Sequence, residues 1–232
     1  MRLIADRGFG GMYPENTVRA VEESVALADA VAVDVRRCGS GELVVCRDGT
    51  VDRVTDGTGR VSELSLADLS MLDVLGTGEG VPRLEAVLDA VPQSVGVVLR
   101  LRETDLAADA LGVAEAFPVQ VVVASRHPGE LAAARSVDPS VPRAFSFGED
   151  ADPLDALSTA RGLDAAFLLV PAAACTERLV NEAHLTGMSV NAYPVGSRSE
   201  AERLEELGVD GVVADRWGVL PSASSGSHRE DG

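Results

Sequence analysis

The chain has 232 residues, a length typical of one large domain, and 46% of them are hydrophobic, which is ample for a core. Its 20 basic residues stand against 37 acidic ones, and the formal net charge of −17 argues against non-specific nucleic-acid binding, which needs positive surface. No apolar run reaches the roughly 20 residues of a membrane span, and the N-terminus lacks the regions of a signal peptide, so a cytoplasmic protein is expected.

Every basic residue is arginine, and no lysine occurs anywhere in the chain. Acidic proteins of this kind hold water and stay apart in strong salt, which favours a halophilic source. A genome of high GC content, whose codons also favour Arg, Ala and Val, is the alternative. The three cysteines are odd in number and have no metal-ligand spacing, so reduced thiols are expected.

Apolar segments of strand length alternate with helical patterns from end to end. Strands are predicted at residues 2–5, 30–35, 95–101, 119–124, 142–145, 164–170, 188–193 and 211–214. Helices are predicted at residues 14–27, 65–72, 82–90, 105–116, 128–136, 153–160, 175–185 and 199–207. This alternation indicates an α/β protein with a (β/α)8 TIM barrel. An open doubly wound sheet is the alternative, but no Gly-x-Gly-x-x-Gly follows a strand.

Residues between the second and third predicted barrel strands break this rhythm. An extended segment at 42–46 follows Gly-Ser-Gly, and residues 48–83 are rich in turn signals. We interpret this part as an excursion from the barrel and a candidate functional loop. The barrel domain is predicted to cover residues 1–220, and the Ser-, Gly- and charge-rich residues 221–232 to form a disordered tail.

Polar side chains collect where the predicted strands end, which is where active sites of such barrels lie. Arginine predominates among them: Asp6, Arg7, Asp34, Arg36, Arg100, Arg102, Ser125, Arg126, Tyr193, Asp215 and Arg216. The excursion adds Arg47, Asp48 and Arg53. Together with the glycine-rich turn Gly8–Gly11, this pattern favours a site that handles phosphate.

Ordered motifs in this chain resemble those of the glycerophosphodiester phosphodiesterase family. They are Asp6-Arg7-Gly8, Pro14-Glu15-Asn16-Thr17, Ala32-Val33-Asp34, Gly41 to Asp48, Val81-Pro82-Arg83-Leu84, and Gly208 to Asp215. The resemblance extends to about Leu220. It implies a TIM barrel, a phosphoric diester hydrolase of lipid metabolism, and a phosphate ester or glycerophosphodiester-like small molecule as the ligand.

The chain departs from this family at the chemistry that the resemblance implies. Two His would serve as general acid and base, and their positions hold Asp6 and Arg47. Two Glu and one Asp would hold Ca²⁺ or Mg²⁺, and of these only Asp34 remains, since Ala32 and Arg100 replace the others. Arg7 is kept as the implied phosphate contact, and Arg102 replaces a Lys.

These substitutions predict a barrel mouth that holds an anion without a metal. A hard cation needs several oxygen ligands, so Asp34 alone is a poor site and no cofactor is expected. We expect Arg100 to pair with Asp34 and take the cation's electrostatic role. Arg7, Arg47, Arg100 and Arg102 are the predicted substrate-binding residues, with Tyr193 as a wall of the pocket. No catalytic residue is assigned, because Arg47 cannot titrate and neighbouring Arg7 and Arg47 should lower the pKa of Asp6.

Three hypotheses follow, in order of preference. The first is a degenerate family member, a pseudoenzyme that binds a phosphate ester without efficient metal-dependent hydrolysis. The second is an active phosphodiesterase with rearranged catalytic residues, and the third is a structural or interaction barrel. Glu15 and Asn16 are interpreted as residues that start the first helix and brace its loop, and Asp48, Arg53 and Thr55 as residues that hold the excursion in shape. His127, His184 and His228 do not cluster, and His127 is interpreted as a loop residue.

Overall fold

A computed structural model of the chain describes residues 1–220. The predicted tail, residues 221–232, lies outside the described residues. Nine strands are described: β1 (Arg2–Asp6), β2 (Ala30–Arg37), β3 (Leu43–Val45), β4 (Gly96–Leu101), β5 (Gln120–Ser125), β6 (Arg143–Ser146), β7 (Phe167–Pro171), β8 (Ser189–Val195) and β9 (Gly211–Ala214).

Eight of these strands close into a parallel barrel. The hydrogen-bonded order is β1-β9-β8-β7-β6-β5-β4-β2, and β1 also pairs with β2, which closes the ring. The remaining strand, β3, runs antiparallel to β2 outside the ring. The predicted (β/α)8 TIM barrel with an excursion between its second and third strands is therefore confirmed.

Eight helices occur between the strands along the chain. They are α1 (Val18–Ser24), α2 (Leu66–Met71), α3 (Leu84–Asp89), α4 (Ala107–Ala114), α5 (Pro128–Val137), α6 (Pro153–Gly162), α7 (Glu177–Leu185) and α8 (Arg198–Glu206). Short 3-10 turns lie at Val61–Glu63, Ala172–Ala174 and Trp217–Val219. All eight predicted helices are present, although several are shorter than predicted.

The first helix begins four residues later than predicted, because Pro14 to Asn16 belong to the preceding loop. Asn16 has φ of +59°, which a right-handed helix does not allow. Thr17 is the N-cap residue, and its hydroxyl accepts a hydrogen bond from Ala20 N at 3.1 Å. Glu15 and Asn16 are thus loop residues rather than helix-start residues, and the helix starts at Val18.

The excursion carries a small hydrophobic cluster of its own, separate from the main core between barrel and helices. Its buried members are Cys38, Val44, Cys46, Val51, Val61, Leu69, Val74 and Val81. Ser65 caps α2 with the reciprocal hydrogen bonds of a capping box, to and from Asp68. The excursion is therefore a compact unit beside the barrel mouth rather than a loose loop.

The inside of the barrel is filled by small and medium side chains. A third cluster contains Ile4, Ala32, Val98, Ala124, Ala144, Leu169 and Val213. Alanine at several of these inward positions leaves room at the mouth of the barrel. All three cysteines are buried and unpaired with one another, and burial raises the pKa of both Cys46 and Cys175 to about 11. Among residues 1–220, the helices are too short or too polar to cross a bilayer.

Candidate functional site

Strand register brings the predicted site residues together at the carboxyl end of the barrel. Asp34 on β2 is the direct neighbour of Arg100 on β4, and Asp6 at the end of β1 is the neighbour of Ala32. Side chains at these positions point into the barrel mouth, because alternate residues of each strand face inward. The acidic side chain of Asp34 and the basic side chain of Arg100 occupy adjacent inward positions and therefore lie in contact.

Asp34 is fully buried, and both of its carboxylate oxygens are occupied by protein groups. Oδ1 accepts a hydrogen bond from Arg102 Nε at 2.6 Å and lies 2.9 Å from Arg100 Nε. Oδ2 accepts from Asn16 Nδ2 at 3.1 Å and from Arg100 Nη2 at 3.2 Å. The predicted pairing of Arg100 with Asp34 is present, and the buried charge is fully surrounded by donors.

Asp6 shares the same arginine from the other side. Its Oδ1 lies 2.6 Å from Arg100 Nη1, an ion-pair distance without hydrogen-bond alignment, and its Oδ2 accepts from Arg7 Nη2 at 3.1 Å. Burial would raise the pKa of Asp6, but Arg100 and Arg7 outweigh it and lower that pKa. The direction agrees with the prediction, but the second partner is Arg100 instead of the expected Arg47.

Arg7 is held by the loop that follows β1. Its Nη1 donates to Glu15 Oε2 at 2.6 Å, and Glu15 also accepts from Arg53 Nη2 at 2.6 Å on the excursion. Arg53 in turn donates to Asp48 at 2.6 Å. Glu15 therefore connects the first loop to the excursion, and Arg53 and Asp48, which were predicted to hold the excursion in shape, contact each other within it.

The backbone of this loop adopts an uncommon conformation. Arg7, Phe9 and Asn16 all have φ between +53° and +59°. The side chain of Asn16 makes two hydrogen bonds across the loop. Its Nδ2 donates to Asp34 Oδ2, and its Oδ1 accepts from Asp34 N at 3.2 Å. Left-handed residues at a strand end recur at functional sites, where surrounding contacts hold them in place.

A cavity of about 320 Å³ opens at this end of the barrel. Its charged and polar wall is Asp6, Arg7, Arg47, Arg100, Arg102, Arg126, Ser146 and Tyr193, and its apolar floor includes Ile4, Val98 and Leu169. All five predicted substrate-binding residues therefore reach one cavity, and Asp34 lies beside it in contact with Arg100 and Arg102. The volume is at the lower end of the range for small-molecule sites, about 300–1,000 Å³.

Arg126 also lines the cavity, and it was not among the predicted binding residues. Its position directly after β5, in the group of polar residues at strand ends, was the available signal. His127 is exposed beside it and belongs to no group of three or more potential metal ligands among residues 1–220. His184 lies elsewhere, 2.8 Å from Asp210, and His228 is outside the described residues.

The fold and the cavity define a class: a TIM barrel whose mouth is lined by arginine side chains. The model of the Glycerophosphoryl diester phosphodiesterase family matches residues 7–219, and this chain belongs to that family. The Bacillus subtilis protein YhdW is 28% identical over 93% of this chain and 94% of its own length. The glycerophosphodiester phosphodiesterase of Bacillus altitudinis is 26% identical over 92% of this chain and 94% of its own length.

Solved structures agree on the architecture. An Oleispira antarctica phosphodiesterase, determined in complex with the product sn-glycerol-3-phosphate, superposes with a TM-score of 0.84 over 93% of both chains. Its sequence identity to this chain is 24%, so the similarity speaks for the fold.

The family generally uses divalent metal ions, and the residues of this chain do not fit one. Ca²⁺ and Mg²⁺ need several oxygen ligands. Of the carboxylates that the family resemblance implies, only Asp34 is present, and its oxygens already contact Arg100, Arg102 and Asn16. Residues 1–220 contain no cluster of three or more His, Cys, Asp or Glu side chains that could hold a metal.

Proposed function

We propose that this chain is a degenerate family member that binds a phosphate ester at the barrel mouth without efficient metal-dependent hydrolysis. The observation that carries the proposal is the ion-pair network at Asp34, in which guanidinium groups contact both carboxylate oxygens. A guanidinium fork also suits phosphate oxygens, so the same arginines favour an anionic ligand.

General acid–base catalysis has no suitable group in this cavity. Histidine is absent from its walls among the described residues, and arginine does not give up its proton near neutral pH. The lowered pKa of Asp6 makes this carboxylate a weak base and removes it as an acid. Hydrolysis of a phosphodiester needs large rate enhancement, and several contributions to it are missing together.

The ligand class follows from the walls and from a relative. The cavity combines arginines with a small apolar floor, which suits a phosphate on a short polyol. The Oleispira antarctica phosphodiesterase was solved with sn-glycerol-3-phosphate. We extend that ligand class to this chain, with Arg7, Arg47, Arg100, Arg102 and Tyr193 as its surroundings. The assignment of residues 1–220 as one domain and the cytoplasmic location belong to the same proposal.

Two measurements on the purified protein test this function. Glycerophosphodiester turnover is assayed with Ca²⁺, Mg²⁺ or Mn²⁺, and binding of glycerol 3-phosphate is followed by calorimetry in the presence of EDTA. We expect binding without turnover. Robust metal-dependent turnover would instead support the active phosphodiesterase with rearranged residues. Absence of both binding and turnover would leave the structural barrel and overturn the proposal.

A matched pair of variants separates ligand contact from general charge. Arg102→Gln removes a guanidinium at the cavity, and Arg198→Gln removes one on α8, where the side chain of Arg198 is 61% exposed and, among residues 1–220, pairs only with Glu202. We expect weaker binding for the first variant and unchanged binding for the second, because a charge-assisted hydrogen bond is local.

A further inference from the structure

The arginines of the cavity differ in how their charge is balanced. Arg7 and Arg100 each contact two carboxylates, and Arg102 contacts one. Arg47 and Arg126 are exposed at the cavity wall and form no ion pair with any residue of 1–220. The cavity wall therefore contains two arginines whose charge no carboxylate of the described residues balances in an ion pair.

Arg102 lies close to this unbalanced positive charge. Burial lowers its pKa, and the positive charges of Arg100 and Arg47 lower it further, although Asp34 works in the opposite direction. Arg102 and Arg126 also line one small side pocket of about 60 Å³, together with Ser146. An anion placed among Arg47, Arg102 and Arg126 would relieve this repulsion.

Arg126 follows β5 and is oriented by Tyr193 of β8, three strands away around the barrel. Its Nη2 donates to Tyr193 Oη at 3.2 Å, and Tyr193 Oη donates its own proton to the carbonyl of Phe147. The hydroxyl is thereby fixed as an acceptor for Arg126. The other guanidinium nitrogens of Arg126 make no hydrogen bond within the described residues and are available to a ligand. Tyr193 is thus a positioning residue for Arg126.

We propose that Arg47, Arg102 and Arg126 form the anion subsite of this cavity and that it selects dianionic phosphate monoesters over monoanionic diesters. The inference rests on the proposed function, since it presumes a phosphate ester in the cavity. It assigns the direct contacts to these three arginines, whereas Arg7 is already engaged by Asp6 and Glu15.

Charge and geometry both favour the monoester. A phosphate monoester carries a charge of about −1.5 to −2 near pH 7 and three terminal oxygens, whereas a diester carries one charge and two such oxygens. Three guanidinium groups supply one donor set for each terminal oxygen. The chain as a whole has a formal charge of −17, so long-range electrostatic attraction does not favour an anion. The affinity for an anion therefore depends on the local hydrogen-bond donors.

Calorimetry with two matched ligands tests the selectivity. Glycerol 3-phosphate is compared with its methyl ester, a monoanionic diester without a cationic group, at pH 7.5 in EDTA. We expect the monoester to bind at least about tenfold more tightly, which is the effect of one additional charge-assisted hydrogen bond. Arg126→Gln and Tyr193→Phe should both reduce this ratio, with unchanged melting temperatures, and Arg198→Gln should preserve it.

A pH series adds an independent readout. The second pKa of a phosphate monoester is about 6, so lowering the pH from 7.5 to 5 should weaken binding of the monoester. His127 after β5 lies beside Arg126, and both ligands meet the same protein groups, whereas only the monoester changes its own charge over this range. The other charged side chains that line the side pocket with Arg126 are Arg100 and Arg102. The methyl ester therefore serves as the reference.

The outcomes separate this inference from the proposed function. Equal affinity for the two ligands, or a ratio unaffected by Arg126→Gln, overturns the anion subsite and leaves phosphate-ester binding in place. Binding of neither ligand overturns both proposals. Hydrolysis of the methyl ester with added Ca²⁺ or Mg²⁺ overturns the proposed function alone.

Discussion

Arg100 lies between two buried carboxylates, and its charge is what makes their burial tolerable. Asp6 and Asp34 are 9% and 0% exposed, and each lies within 3 Å of an Arg100 nitrogen. Burial would lower the pKa of Arg100, but Asp34 and Asp6 outweigh this effect and raise it. Arg100 therefore places a fixed positive charge where the family resemblance implies a metal-binding carboxylate. This charge balances the negative charges of Asp6 and Asp34.

Replacing Arg100 tests this dependence. Arg100→Gln should lower the free energy of unfolding by about 3–5 kcal/mol, the usual effect of removing one partner from a buried ion pair. Urea unfolding monitored by circular dichroism measures it. The matched control Arg198→Gln breaks an exposed pair of α8 and should change stability by less than about 1 kcal/mol. Equal effects of the two variants would contradict the charge-balancing role.

Glu15 makes the stability of this site sensitive to acid. It is 8% exposed; burial would raise its pKa, but Arg53 and Arg7 outweigh burial and lower it. A carboxyl group whose folded pKa is lowered stabilises the fold above its ordinary value of 4.5, and this stabilisation is lost as the pH falls through the folded pKa. Glu15→Gln should therefore reduce stability at pH 7 and make its decline below about pH 4.5 less steep.

The comparison for this prediction is Glu205→Gln. Glu205 is exposed on α8 and makes no ion pair within the described part of the chain. Melting temperatures of both variants between pH 3 and pH 7 provide the measurement. A profile for Glu15→Gln that runs parallel to that of Glu205→Gln would show that the ion pairs of Glu15 do not contribute.

The sequence identifies which residues reach this site but not how they pair. Asp34 and Arg100 could be placed together from the strand pattern, because both lie at ends of neighbouring predicted strands. The missing information was which arginines retain an unbalanced charge. Arg7 and Arg126 look equivalent as strand-end arginines, but Arg7 pairs with Asp6 and Glu15, whereas Arg126 forms no ion pair among residues 1–220.

At the scale of elements, the excursion is a separately packed unit with its own small hydrophobic core. Its buried cluster does not merge with the main core, and Arg53 and Asp48 connect it to the first loop through Glu15. It also carries Arg47 into the cavity wall. The excursion should therefore open without unfolding of the barrel, as weakly coupled units do.

Leu69→Ala examines this independence. Leu69 is fully buried in α2 within the excursion cluster, so its truncation should cost about 2–5 kcal/mol locally. We expect hydrogen exchange to accelerate in residues 51–81 and to remain unchanged in β4 and β5. The control Leu185→Ala alters a leucine that is 83% exposed and should leave both regions unchanged. Uniform acceleration across the barrel would instead indicate one cooperative unit.

Element positions followed from hydrophobic pattern, and their ends depended on local chemistry. β7 begins at Phe167, three residues after its predicted start, because Asp164 adopts φ of +52° and cannot be part of a strand. α7 begins at Glu177 because Thr176 caps it and a 3-10 turn precedes it. Positive φ values at non-glycine residues depend on tertiary contacts, so periodicity alone does not locate these ends.

At the scale of the whole molecule, the excess of acidic residues opposes compactness. Like charges repel through a distance set by salt, about 30 Å at 0.01 M and about 8 Å at 0.15 M ionic strength. The main core spans nearly the full chain, from Leu3 to Val219, so this repulsion acts on one large barrel rather than on separate lobes. Stability should therefore rise steeply as salt is added at low concentration.

The last prediction concerns this dependence on salt. The melting temperature should increase between 0.01 and 0.15 M NaCl, a range in which screening is the dominant effect of salt. A variant with Glu22, Glu23, Glu205 and Glu206 changed to Gln lacks four exposed carboxylates. Its formal net charge is −13 instead of −17. Its melting temperature should be higher at 0.01 M NaCl and should rise less with salt. Identical salt slopes for the variant and the original chain would mean that specific ion pairs, rather than net repulsion, determine the response.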